Sequence, residues 1–166
     1  CEEAWAITKG SSDIVVAVLD TGVTNDHKDF LNKNTIEYDI MHDDNRANDD
    51  DGHGTHCAGI VVANMDNNHG ITGIAPKTTL MAIKVLGPYG GTIWDGAKGI
   101  IYAAKHGAWI ISMSFGGPSA IVEMLACRYA QNIKNVFLCA ASGNDYNNFL
   151  GYPAGYPSVY SVGSVN

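Results

Sequence analysis

Three polar residues stand in motifs whose chemistry would be complementary if the fold brought them together. His53 lies in Asp51-Gly-His-Gly-Thr-His-Cys-Ala-Gly59, where flanking glycines leave the ring approachable, and an imidazole exchanges protons near neutral pH. Asp20 follows an apolar run, where an ionised carboxylate needs a partner such as an imidazole. Asn144 ends Ala141-Ser-Gly-Asn144, and an amide donor can stabilise an oxyanion. Individually, Asp20 also fits a turn cap and Asn144 an ordinary Gly-Asn turn.

The elements that would position these residues are predicted from the apolar pattern. Run 14–19 is rich in β-branched residues, as in a strand buried on both faces, and similar runs occupy 80–85, 109–113, 136–140 and 158–162. Helices are predicted at 53–64, 93–104 and 120–131. This alternation predicts one α/β domain over residues 1–166, with a parallel sheet and helices on both faces. Ligands bind such sheets outside the carboxyl ends of the strands.

Composition excludes some partners. The formal net charge is −7 and acidic residues concentrate at 39–51, so nucleic acid is not an expected ligand. We predict no membrane span, since no apolar run approaches the roughly 18 residues required, and Glu2 and Glu3 argue against a secretory signal at the start. The acidic run 43–51 fits either a solvated loop or a cation site. The four cysteines have no metal-finger spacing and are predicted to be mostly free, with one or two disulfides left open.

A metal centre is an alternative interpretation of the histidine motif. His53 and His56 are three residues apart on a predicted helix, and Asp49 or Asp51 would supply a third ligand. The motif lacks the glutamate of an H-E-x-x-H site, and His56 fits a packed, hydrogen-bonded role equally well.

The order of the motifs resembles the subtilisin-like serine proteases. The aspartate motif is Asp20-Thr-Gly-Val23, the histidine motif His53-Gly-Thr-His-Cys-Ala-Gly59 and the asparagine motif Ala141-Ser-Gly-Asn144. Segments 73–76, 84–86, 112–117 and 152–159 are also similar to family segments. The resemblance implies a serine endopeptidase in which His53 is the general base, Asp20 orients it and Asn144 donates to the oxyanion.

The same resemblance implies sites for a polypeptide substrate and for structural calcium. The substrate would pair with an edge segment and enter a pocket with two walls, which involve Gly90, Gly91, Ser114, Phe115, Gly116, Ala141, Ser142 and Gly143. Calcium would be held by the side chains of Asp29 and Asn67 and the carbonyls of Met65, His69 and Ile71. Cys57 stands where a thiol-sensitive subset of the family has cysteine, and it is expected to be a small buried filler one turn from His53.

The nucleophile is the point of departure from the family. No serine here has the Gly-Thr-Ser-Met-like context that opens the family's central helix. We therefore expect a truncated domain that is inactive alone and has the missing C-terminal portion or a propeptide as partner. Its apolar surface would be exposed without that helix. The resemblance implies a secreted or extracellular location, and an intracellular one is left open because the family has intracellular members. The alternative is a non-catalytic peptide-binding or calcium-binding module that retains the cleft.

Overall fold

The computed structural model describes residues 1–144 and 151–164, and within these ranges it contains a six-stranded parallel sheet. Its spatial order is β2-β3-β1-β4-β5-β6. The strands are β1 Val15–Asp20, β2 Thr35–Asp39, β3 Thr79–Lys84, β4 Ile110–Met113, β5 Phe137–Ala141 and β6 Tyr160–Val162. The α-helices are α1 Glu2–Ile7, α2 His53–Val62, α3 Ile93–Lys105 and α4 Ile121–Asn132, and a 3₁₀ turn covers Lys28–Phe30.

The helices cover both faces of the sheet, which confirms the predicted architecture. Because successive strand side chains point to opposite faces, Ala17 and Leu19 of β1 belong to one core cluster, and Val18 belongs to the other. The first cluster packs against α3 and α4 and the second against α2. Strand β1 lies between β3 and β4, so its carboxyl end is at the centre of the sheet edge.

The boundaries differ from the prediction where the apolar pattern is weak. Strand β2 was not predicted, because its sequence Thr-Ile-Glu-Tyr-Asp is half-buried at the sheet edge and has no continuous apolar run. Helix α1 was also missed and buries no residue. Helix α2 ends at Val62, two residues earlier than predicted, and β6 begins at Tyr160. None of the helices in residues 1–144 and 151–164 combines the length and the hydrophobicity of a membrane span.

Candidate active site

Asp20 and His53 form a direct hydrogen-bonded pair at the carboxyl edge of the sheet. Asp20 is the last residue of β1 and only 1% exposed, whereas the His53 side chain, in the first turn of α2, is 47% exposed. The distance from His53 Nδ1 to Asp20 Oδ1 is 2.7 Å. The backbone N–H of Thr21 donates to the same oxygen at 2.8 Å. The carboxylate thus binds one ring nitrogen and leaves the opposite side of an accessible imidazole available for proton exchange.

Close packing of α2 on the loop after β1 fixes the position of His53. The N–H of Gly54 donates to the Thr21 hydroxyl at 2.9 Å, and a Cβ at Gly54 would lie 2.2 Å from the carbonyl oxygen of Gly22. Residue 54 must therefore be glycine for this approach. The sequence suggested that glycines flank His53 to free the ring, but Gly54 is buried and serves the packing of the helix instead.

The acidic segment before α2 is mostly exposed, but one of its carboxylates, that of Asp49, is held by several protein donors. Asp49 accepts hydrogen bonds from the Thr21 hydroxyl at 2.8 Å, from the N–H of Gly52 at 2.9 Å and from the N–H of Thr55 at 2.9 Å. It also accepts from the N–H of Asp51 and the hydroxyl of Thr55. Burial opposes its ionisation, but these donors outweigh that cost and hold the pKa of Asp49 well below its usual value.

A lysine supports the same loop from the sheet. Lys84, the last residue of β3, is only 2% exposed. Its ammonium group donates to the carbonyl of Thr21 at 2.6 Å and to Asp50 Oδ1 at 2.7 Å. A buried ammonium group requires such partners. Lys84 thus joins the loop that follows Asp20 to the segment that precedes His53.

The electrostatic surroundings of His53 favour its protonated form. The hydrogen bond with Asp20 raises the pKa of His53, burial acts in the opposite direction, and the charges of Asp20, Asp51 and Asp49 raise it further. A base with a raised pKa is stronger but is protonated over a wider range of pH. The carboxylates therefore stabilise the imidazolium that forms when His53 accepts a proton.

Cys57 lies beside the histidine ring, one turn along α2. Its Sγ is 3.9 Å from each ring nitrogen of His53, and the thiol is half-buried. Burial raises the pKa of Cys57, a hydrogen bond with Ser114 opposes this, and Asp20 raises it again. The thiol is therefore neutral near pH 7 and is a poor nucleophile. All four cysteines are free in the structure.

The alternative metal centre of His53, His56 and an acidic residue from the preceding loop is not assembled. In residues 1–144 and 151–164, only Asp20, His53 and Cys57 bring three such ligand atoms within 4.8 Å of one another. His56 lies outside that group. Asp49 is occupied by the backbone and hydroxyl donors described above, which explains why it does not turn toward the histidines.

The asparagine motif and the pocket segments lie at the same edge of the sheet. Ala141 ends β5, and the N–H of Ser142 donates to the Val162 carbonyl at 2.9 Å. Gly143 and Asn144 follow and are exposed. Because β1, β4 and β5 are adjacent and parallel, the residues after each strand emerge on one side.

Four of the predicted substrate residues line one cavity of about 320 Å³, namely Gly90, Gly91, Phe115 and Gly116. Ser114 is placed instead beside Cys57. The N–H and carbonyl of Gly90 are both bonded to Gly87 in a tight turn. Of the two edge glycines, Gly91 is thus the one whose N–H is not used in that turn.

The predicted calcium residues come together in part. Asp29 is 4% exposed and accepts from the Asn67 side-chain amide at 2.9 Å and from the N–H of Ile71 at 3.0 Å. The Asn67 oxygen accepts from the N–H of His69. Burial opposes ionisation of Asp29, but its hydrogen bonds and nearby histidines lower its pKa. Among the described hydrogen bonds, none is accepted by the backbone carbonyls of Met65, His69 or Ile71.

The sequence that forms this parallel α/β fold, with an Asp-His pair at its central strand, matches a known protein family. The family described as the Subtilase family, Peptidase_S8, matches residues 11–166. The chain belongs to the subtilase family.

Similarity to individual proteins extends over nearly the whole chain. The chain is 40% identical to thermitase of Thermoactinomyces vulgaris, and the matched region covers 99% of this chain and 59% of that protein. It is 41% identical to the major intracellular serine protease of Bacillus subtilis (strain 168), covering 99% of this chain and 54% of that protein. The solved structure of sphericase is 37% identical, with a TM-score of 0.84, over 93% of this chain and 54% of that one. The chain thus spans little more than half the length of these relatives.

Proposed function

We propose that the protein containing this chain is a serine endopeptidase. The hydrogen bond of 2.7 Å between buried Asp20 and exposed His53 carries the proposal. Membership of the subtilase family supports it independently. The substrate is a polypeptide, whose extended backbone would lie along the cavity between Gly91 and Gly116.

In the proposed reaction, His53 Nε2 removes the proton from a serine hydroxyl as the serine oxygen attacks the peptide carbonyl carbon. Asp20 holds the ring by Nδ1 and stabilises the resulting imidazolium, while the Asn144 amide donates to the oxyanion. The imidazolium then protonates the leaving amine and the C–N bond breaks, giving an acyl-enzyme. Water, deprotonated by the same histidine, releases the carboxylic acid and regenerates the serine.

We infer that the nucleophilic serine comes from outside these 166 residues. Within the described ranges no serine hydroxyl is hydrogen-bonded to His53, and the side-chain partner of its Nε2 there is Cys57 Sγ at 3.9 Å. The chain alone would therefore bind peptide with little or no turnover. The remaining portion of the protein, or a complementing segment, is the implied partner.

The test uses full-length protein, a fluorogenic peptide and a fluorophosphonate that labels activated serines. We expect turnover that His53→Ala abolishes, and a labelled serine that mass spectrometry maps outside residues 1–166. Turnover retained by His53→Ala, or a label on Ser114 or Ser142, would refute the assignment. Peptide binding without any turnover in the full-length protein would favour the non-catalytic module.

We also propose calcium at the Asp29 loop. The site offers a buried carboxylate and an amide group in contact, and rotation of the Asn67 amide would turn its oxygen toward the same point. A bound ion would tie the turn before β2 to the loop after α2. The expected result is a thermal midpoint that rises with calcium and falls with chelator in the parent but not in Asp29→Asn. Equal responses in both proteins would contradict the site.

A propeptide partner and secretion are further proposals. The solved structure of the relative MycP1 is described as having its N-terminal propeptide removed. Relatives include a cell wall-associated protease and an intracellular one. Fractionation of the source cells, with mass spectrometry of the mature N-terminus, distinguishes an exported, processed protein from an intracellular one.

A further inference from the structure

A buried carboxylate lies in the wall of the cavity that borders the proposed substrate path. Glu123 is 4% exposed and belongs to the first turn of α4. It lines the cavity of about 320 Å³ together with Phe115, Gly117 and Tyr152. No Lys, Arg or His is among the described residues that line this cavity. The carboxylate therefore faces an unusual environment for an acidic side chain, because buried charges normally have a partner.

Glu123 does not form the helix-capping hydrogen bond that is common for a glutamate in the first turn of a helix. A glutamate in the first turn commonly reaches back to the N–H of the residue that caps the helix. Here that N–H, from Ala120, donates to the Tyr156 hydroxyl at 2.9 Å instead. Tyr156 also forms a hydrogen bond with Glu123. Its hydroxyl group is neutral, so this bond does not supply a positive charge to pair with the carboxylate. Glu123 forms no ion pair with any described Lys, Arg or His.

Gly96 opens the route from the cavity to this carboxylate. A Cβ at residue 96 would lie 3.3 Å from Glu123 Oε1 and 3.8 Å from the Phe115 ring. A larger side chain at residue 96 would cover the carboxyl group. The glycine leaves space for the end of a long ligand side chain, with the aromatic rings of Phe115 and Tyr152 in the cavity wall.

We propose that this cavity binds a lysine or arginine side chain of the polypeptide and that Glu123 determines this specificity. The proposal rests on the proposed function, since the peptide must lie along Gly91 and Gly116. A cation would supply the missing partner of the carboxylate, and its aliphatic stem would pack on the apolar wall. The guanidinium of arginine could in addition lie against an aromatic ring.

The ionisation of Glu123 adds a pH signature. Burial raises the pKa of Glu123, and the hydrogen bond with Tyr156 opposes this. A bound cation favours the ionised form of the Glu123 carboxyl group. Binding of a basic side chain therefore releases a proton from those molecules in which Glu123 is protonated. Preference for basic peptides should decline as the pH falls through the raised pKa of Glu123.

The experiment uses full-length protein and a set of extended peptides in which each of four positions before the scissile bond carries lysine, arginine, glutamine or norleucine. At one position we expect kcat/KM for the peptides with lysine or arginine to exceed kcat/KM for the peptide with norleucine by about tenfold or more. Glu123→Gln, which preserves the shape of the side chain, should bring this ratio close to one. Glu3→Gln removes the same charge from exposed helix α1 and should leave the ratio unchanged.

Two further measurements separate this proposal from the proposed function. Gly96→Ala should weaken binding of lysine and arginine peptides while keeping α3 helical, because alanine favours a helix and fills the space next to the carboxylate. Binding to the His53→Ala variant, followed by fluorescence anisotropy, needs no turnover. A preference for basic peptides in binding, together with no cleavage by the parent full-length protein, would sustain the cavity assignment and contradict the proposed protease function. Cleavage with no position favouring basic residues, or a ratio unaffected by Glu123→Gln, would overturn the cavity assignment alone.

Discussion

Replacement of Asp49 tests whether the segment before α2 is held by the carboxylate. Asp49→Asn retains one oxygen but puts an NH₂ group where the other oxygen accepts from Thr55. At least the N–H of Thr55 then loses its acceptor, and the remaining hydrogen bonds lose their charge. Each hydrogen bond to a charged group is worth about 1.5–3 kcal/mol. Asp49 is only partly buried, so water and screening reduce this, and we expect a net loss of about 1–2 kcal/mol.

The assay is urea denaturation of the full-length protein in a His53→Ala background, which prevents self-digestion. Asp26→Asn is the matched control, because Asp26 is exposed on another loop. The folded-state pKa of Asp49 lies below the ordinary value of 3.8. Its stabilising contribution is therefore complete above that value and is lost as the pH falls toward the folded-state pKa. The difference between parent and Asp49→Asn should shrink at acidic pH.

Two results would refute this account of the loop. One is an Asp49→Asn protein whose free energy of unfolding at pH 7 matches that of Asp26→Asn. The other is a deficit that does not change between pH 7 and pH 3, since a loss caused by the ionised carboxylate must depend on its ionisation. A double-mutant cycle with Thr55→Val would show how much of the lost free energy belongs to the hydrogen bond between the Thr55 hydroxyl and Asp49.

Three further predictions concern the Asp-His pair and its support. Asp20→Asn should lower kcat by roughly 10⁴-fold, because the amide no longer holds the correct tautomer of His53; a loss under tenfold in peptide hydrolysis would exclude that role. Activity should rise with pH as His53 becomes neutral, and the negative charge of Asp51 raises the pKa of His53. Asp51→Asn should therefore shift the acidic limb of the pH profile of kcat/KM to lower pH by about a few tenths of a pH unit. A shift to higher pH would contradict the sign of this interaction. Lys84→Met should reduce the free energy of unfolding by about 2 kcal/mol, less than for a fully buried pair because Asp50 is 47% exposed, and an unchanged urea midpoint would show that the pair contributes nothing.

The sequence alone predicted five of the six strands of the sheet, with ends that differ from the structure by up to two residues. A continuous apolar run followed by Asp20 is a local pattern, and burial on both faces requires it. The same holds for the helical spacing of α3 and α4. Strand β2 was not predicted, because an edge strand whose residues are mostly half-buried does not need a continuous apolar run.

Only the tertiary structure decided which acidic residues are used and how. Asp49 and Asp51 are indistinguishable in a charged run, yet Asp49 accepts from Thr21, 28 positions away, while Asp51 stays exposed. Glu123 resembles an ordinary first-turn glutamate until α3 and α4 place it in a cavity beside Gly96. Hydrogen bonding and burial depend on segments that are distant in the chain, so no local pattern contains them. The pairing of Asp20 with His53 depends on both the sequence and the tertiary structure. The motifs in the sequence identify the two residues, and the packing of α2 on β1 sets the 2.7 Å distance between His53 Nδ1 and Asp20 Oδ1.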